Sequence, residues 1–96
     1  MTTVREPAVA GTFYPNDATT LSALISTYLE GDAGLECPKA IIAPHAGYIY
    51  SGAIAGEVYR KLESAHDKIK RVVLLGPSHR VAFKGMAVPL STRFRT

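Results

Sequence analysis

The sequence predicts an α/β fold: a parallel-stranded central sheet with flanking helices. Three observations predict it. Lys39-Ala-Ile-Ile-Ala43 is a short apolar run closed by Pro44, and Arg71-Val-Val-Leu-Leu75 is a second, closed by Gly76-Pro77. An amphipathic stretch, 52–64, lies between them. Neither run alternates with polar residues, and strands apolar at successive positions are those covered on both faces, as in parallel sheets. Strand, helix and strand in that order form a βαβ unit with a right-handed crossover.

Each element follows from local chemistry. Residues 1–15 hold Pro7, Gly11 and Pro15 without a clean period, and read as an irregular lead-in. Asn16 or Asp17 then caps a helix by accepting a backbone N–H. Leu21, Leu24, Ile25, Tyr28 and Leu29 fall at i, i+3, i+4, i+7 and i+8, one apolar stripe. Gly31 closes that helix as its C-cap, and residues 31–38 form a loop. The first strand is 39–43. Residues 45–51 form a loop around Gly47, and Ser51 caps the second helix over 52–64. Ile54, Ala55, Val58, Tyr59 and Leu62 give that helix its buried face. The second strand, 71–75, pairs with the first. A weaker strand follows at Met86-Ala-Val-Pro-Leu90. Pro89 lacks a ladder donor, which assigns that strand to a sheet edge or an irregular end.

Composition narrows the classes of function. The 96 residues make one small domain or part of one. Hydrophobic residues at 47% and charged residues at 20% fit a globular chain rather than a disordered one. No apolar run approaches the ~18–20 residues of a membrane span. The start, MTTVREPAVAG, is no signal peptide. The single Cys37 cannot form an internal disulfide, and a reducing, cytoplasmic setting suits it.

Charge is uneven along the chain. Residues 1–48 carry two basic and five acidic side chains, a balance of −3; residues 49–96 carry nine basic and three acidic, a balance of +6; together they give the net +3. The basic residues are scattered, and no zinc-finger spacing or aromatic RNA-binding segment accompanies them. A solvated basic surface is the reading, with neither nucleic acid nor membrane as a partner.

Two histidines stand where a parallel sheet binds ligands, just past the carboxyl ends of its strands. His45 follows Ile42-Ala43-Pro44, and His79 follows Leu75-Gly76-Pro77-Ser78. Imidazole is a common metal ligand, and these two could also be independent loop residues. Zinc and non-haem iron sites usually use three protein ligands. Cys37 precedes the strand that His45 follows, and eight residues at about 3.3 Å each place it at the opposite edge. His66 lies just past the second helix, where a cation offsets the C-terminal dipole.

Other patterns carry less. Gly47-Tyr-Ile-Tyr-Ser-Gly52 resembles the start of a phosphate-binding loop, but Ala53 stands where that motif needs Lys. Ser78 and His79 are sequence neighbours and do not form a nucleophile–base pair. Tyr48 and Tyr50 either line a pocket or anchor the His45 loop by packing.

Three segments together identify a relationship. Arg5-Glu-Pro-Ala-Val-Ala-Gly-Thr-Phe-Tyr-Pro15, Ile41-Ile-Ala-Pro-His-Ala-Gly-Tyr-Ile-Tyr-Ser-Gly52 and Leu74-Leu-Gly-Pro-Ser-His-Arg80 resemble the Memo family, whose bacterial and archaeal members are labelled AmmeMemoRadiSam system protein B. The resemblance implies a fold similar to the LigB-type class III extradiol dioxygenases. It implies that His45 and His79, in the PHAG and GPSH motifs, are metal-site residues. Tyr50 and Ser78, in the same two motifs, are the expected pocket residues. Copper or iron is the implied metal, with zinc as a third candidate.

The implied activity is that of a metal-dependent, dioxygenase-like oxidoreductase. The alternative is a non-catalytic protein that binds a peptide or small ligand on the same scaffold. The family's later segments, including a cysteine that completes the metal site, have no counterpart here. Thr92-Arg-Phe-Arg-Thr96 looks like the start of the family's next stretch. Residues 1–96 are therefore expected to be the N-terminal part of a single Memo-like domain, a fragment whose exposed apolar surface self-associates.

Overall fold

A computed structural model describes residues 3–34 and 36–96. Met1, Thr2 and Leu35, in the lead-in and loop expected to be irregular, lie outside the described residues.

The first helix, α1, spans Ala18–Leu29. Asp17 caps it: the carboxylate accepts from the Thr20 backbone N–H at 2.8 Å and from the Thr20 hydroxyl at 2.7 Å. Along α1, Leu21, Leu24, Ile25, Tyr28 and Leu29 are half-buried and every other position is exposed, so the sequence period marks the packed face. Glu30 is the C-cap, and Gly31 follows with φ +128°, a conformation that favours glycine.

The second helix, α2, spans Tyr48–Tyr59 and tightens into a 3-10 helix over Arg60–Ala65. It begins four residues before the predicted start. The N-cap is Gly47 rather than Ser51, because the Phe13 carbonyl accepts the Tyr48 N–H at 2.8 Å and fixes the first turn there. Ser51 lies inside the helix, and its hydroxyl donates back to the Ala46 carbonyl at 3.2 Å.

The packed face of α2 matches the expectation in part: Ala55, Val58 and Leu62 are half-buried. Gly52 and Gly56 are its buried residues, whereas Ile54 and Tyr59 are 55% and 46% exposed. Four-residue spacing puts the two glycines on one row, where helices approach closely when side chains are absent. A Cβ on Gly56 would lie 2.3 Å from the Tyr28 carbonyl oxygen. Arg60 completes the joint. Its Nε and Nη2 donate to the Leu29 and Tyr28 carbonyls, each at 3.2 Å, capping the end of α1.

Two short strands, β1 (Val4–Arg5) and β2 (Arg93–Phe94), pair in parallel, Val4 opposite Arg93 and Arg5 opposite Phe94. They arise in segments read as an irregular lead-in and as the beginning of a further stretch. Thr3 binds Thr92 through backbone and hydroxyl, the Arg95 N–H donates to the Arg5 carbonyl at 2.9 Å, and Arg95 pairs with Glu6.

The predicted strands at 39–43, 71–75 and 86–90 are absent among the described residues, and so is their parallel pairing. Val72, Val73, Leu74 and Leu75 are 77–86% exposed, and Ile42 is 95% exposed. No backbone–backbone hydrogen bond involves residues 70–91 among the described residues. An apolar strand needs cover on its faces and ladder partners along its edges. The described residues supply neither. What the chain forms is a small α/β unit: a helix pair and a two-residue parallel ladder.

Candidate functional site

His45 sits in the loop that enters α2, and Tyr48 anchors that loop. The Tyr48 N–H donates to the Phe13 carbonyl at 2.8 Å, and its carbonyl accepts the Tyr28 hydroxyl at 3.1 Å. Its ring lies edge-on to Tyr28 at 6.4 Å between centroids and tilted against Tyr14 at 5.8 Å. Tyr28 reaches it because Gly52 has no Cβ; one there would lie 2.5 Å from Tyr28 Cε2. His79 comes from a segment without regular structure, in a turn where the Ser78 hydroxyl donates to the Val81 carbonyl.

The two imidazoles meet in space although they lie 34 positions apart in the chain. His45 Nε2 and His79 Nε2 are 3.2 Å apart, the ring centroids 5.3 Å apart and the planes tilted by 52°. Both side chains are exposed. Nitrogens this close either share a proton, one ring donating N–H to the bare nitrogen of the other, or present two lone pairs to one electrophile. Two ligands at about 2.0–2.1 Å on adjacent tetrahedral or octahedral positions stand about 2.9–3.4 Å apart. The observed separation lies within that span.

Among the described residues no group of three or more His, Cys, Asp or Glu side chains gathers to hold an ion. Cys37 is exposed, and its thiol is directed to the Pro38 carbonyl at 3.6 Å. His66 caps the 3-10 helix, with Nδ1 2.8 Å from the Glu63 carbonyl. Tyr50 projects outward, 81% exposed. Two grooves, of about 340 and 410 Å³, open elsewhere: one between the start of α1 and Thr96, the other beside Leu62 and His66. Neither is lined by Tyr50 or Ser78.

Sequence reasoning missed the support under His45. Tyr28 was legible only as one member of an apolar stripe, and Phe13 contributes a carbonyl, which any residue carries. The Gly52–Gly56 spacing was the available signal, because two helical glycines four apart permit close approach.

A small α/β chain with an exposed histidine pair, one member in a PHAG segment and one in a GPSH segment, defines a narrow class. The family model for Memo-like protein matches residues 5–96, and the chain belongs to the Memo family. It is 48% identical over 89 residues to a MEMO1 family protein of Aquifex aeolicus, covering 92% of this chain and 30% of that protein. It is 38% identical over 93 residues to Protein MEMO1 of Xenopus tropicalis, covering 96% of this chain and 31% of that one. A MEMO1 family protein of Schizosaccharomyces pombe is 33% identical over 78 residues. The chain thus spans about 30% of the length of the first two relatives. No solved structure matches it.

Proposed function

We propose that His45 and His79 are two ligands of a metal site, in a Memo-family protein whose activity resembles that of non-haem-iron dioxygenases. The observation that carries this reading is the 3.2 Å separation of the two Nε2 atoms. Copper or iron is the metal the reading favours, with zinc the third candidate. A redox-active ion held there would supply electron-transfer chemistry to a bound small molecule.

The chain's own residues have defined parts in this reading. His45, on the anchored loop, is the fixed ligand, and His79 closes on it from the neighbouring turn. Both use Nε2, which leaves each Nδ1 free for a partner that orients the ring. Two protein ligands leave further coordination positions to water, substrate or another polypeptide, so affinity is modest. Tyr50 and Ser78 lie in the same two motifs and belong to the proposed surroundings of the ion. The larger LigB-type α/β architecture belongs to the same proposal, as does the protein's place among oxidoreductases.

The test is calorimetric titration of copper(II) into five proteins: the parent, His45→Ala, His79→Ala, Cys37→Ser and His66→Ala. Losing one of two ligands should reduce affinity by about a hundredfold or more, since each metal–imidazole bond carries a large share of the binding energy. Cys37→Ser and His66→Ala should match the parent. Equal affinity in His45→Ala and the parent would sink the proposal. The pair would then be a hydrogen bond between two rings, on a scaffold that binds a peptide or small ligand without chemistry.

A further inference from the structure

We propose that Tyr28, on a helix that carries neither histidine, is a positioning residue of the His45–His79 pair. The inference deepens the metal-site reading and rests on it for its affinity arm, though not for its spectroscopic arm. Tyr28 is half-buried between the helices, and its phenol makes one hydrogen bond, to the Tyr48 carbonyl at 3.1 Å. Tyr48 lies three positions after His45 and is held on its other side by the Phe13 carbonyl. Loop 45–47 therefore hangs from a residue gripped at its N–H, its carbonyl and its ring.

That grip serves more than helix stability. The Tyr48 carbonyl stands in the first turn of α2, where the helical bond it accepts from residue 52 is already available, so the phenol is an additional restraint. The helix pair has separate fastenings at its far end, where Arg60 binds two carbonyls of α1 and Gly56 meets Tyr28's backbone. The phenol acts only at the end that leads into His45. His79 lacks any comparable anchor among the described residues, since its segment makes no backbone–backbone hydrogen bond. The Tyr28 phenol therefore acts on the pair through His45 alone.

The experiment compares Tyr28→Phe, which deletes only the hydroxyl, with Asp17→Ala, which loosens α1 at its opposite end. Long-range ¹H–¹⁵N spectra of the histidine rings, recorded without metal, read the pair directly. Tyr28→Phe should move the His45 ring nitrogens, and Asp17→Ala should leave them in place while lowering the thermal midpoint. Copper(II) affinity should fall about two- to tenfold in Tyr28→Phe, the equivalent of one neutral hydrogen bond, and stay at the parent value in Asp17→Ala. Unchanged His45 nitrogens in Tyr28→Phe would overturn the proposal, as would equal spectral changes in both variants. Should the parent bind no copper, the metal reading fails alone, and the ring spectra still decide the role of Tyr28.

Discussion

Asp17 ties the start of α1 to its own ionisation. Hydrogen bonds from the Thr20 hydroxyl and then from the Thr20 backbone N–H hold its carboxyl below the ordinary aspartate value. The sign follows from linkage. A carboxyl whose folded pKa is depressed adds stability that is fully present above its unfolded value, about 3.9, and is lost as pH falls through the lower folded value. Helicity measured by far-UV circular dichroism should thus stay level from neutral pH to about 4.5 and decline in stronger acid. Asp17→Ala should lower helicity at neutral pH, because it removes the cap, and flatten the acid decline. An acid decline of equal size in Asp17→Ala would assign it to other carboxylates. The cap was legible in the sequence because capping is local: donor and acceptor are three residues apart. Arg60 on the Leu29 and Tyr28 carbonyls was not, because 31 positions separate the partners and nothing in the local pattern links them.

At the scale of elements, the joint between α1 and α2 depends on two missing side chains. Replacing a helical glycine by alanine normally gains about 1 kcal/mol of helix propensity. At Gly56 that gain is outweighed. The new Cβ would lie 2.3 Å from a backbone oxygen and 2.8 Å from its carbon, and neither can move without shifting α1. Overpacking of this kind costs about 1–3 kcal/mol. Gly56→Ala should lower the thermal midpoint, and Gly52→Ala should do less harm to the pair, because there the obstacle is the Tyr28 ring, which can turn. That turn breaks the bond to the Tyr48 carbonyl, so Gly52→Ala should shift the His45 ring signals as Tyr28→Phe does. A higher midpoint in Gly56→Ala would mean that the helices are not in contact in solution. The helices were readable because a 3.6-residue period is written locally. The α2 face was misread at Ile54 and Tyr59 because both weigh heavily as apolar residues, whereas a glycine contact adds nothing to a hydrophobic pattern. The strands at 39–43 and 71–75 failed for the opposite reason. Their composition specifies burial, but burial requires partners, and the described residues offer none.

The whole molecule bears the consequence. Its accessible surface is 8586 Å², where a folded monomer of this mass exposes about 5,400 Å². Its radius of gyration is 15.0 Å, against about 12.5 Å for a compact chain of this length. The surplus area, about 3,000 Å² for one chain, exceeds the share of about 1,000–2,500 Å² that each partner buries in an obligate interface. No described hydrophobic side chain is buried, and Val73, Leu75, Met86, Val88 and Leu90 are 77–97% exposed. Unpaired backbone along the same segments adds a template for strand addition. We therefore expect the isolated chain to self-associate through residues 71–75 and 86–90. Sedimentation velocity over a concentration series should show dimers or larger species at micromolar concentrations. Val73→Asp combined with Leu75→Asp should shift them towards monomer, because a charge buried in an apolar contact without a partner is strongly disfavoured. Both substitutions lie outside α1 and α2, so the helical signal should persist and distinguish lost association from lost folding. A parent chain that stays monomeric, unfolds cooperatively and scatters with a radius of gyration near the compact value would refute this. It would mean that the apolar runs find cover within a single copy, as the βαβ reading of the sequence requires.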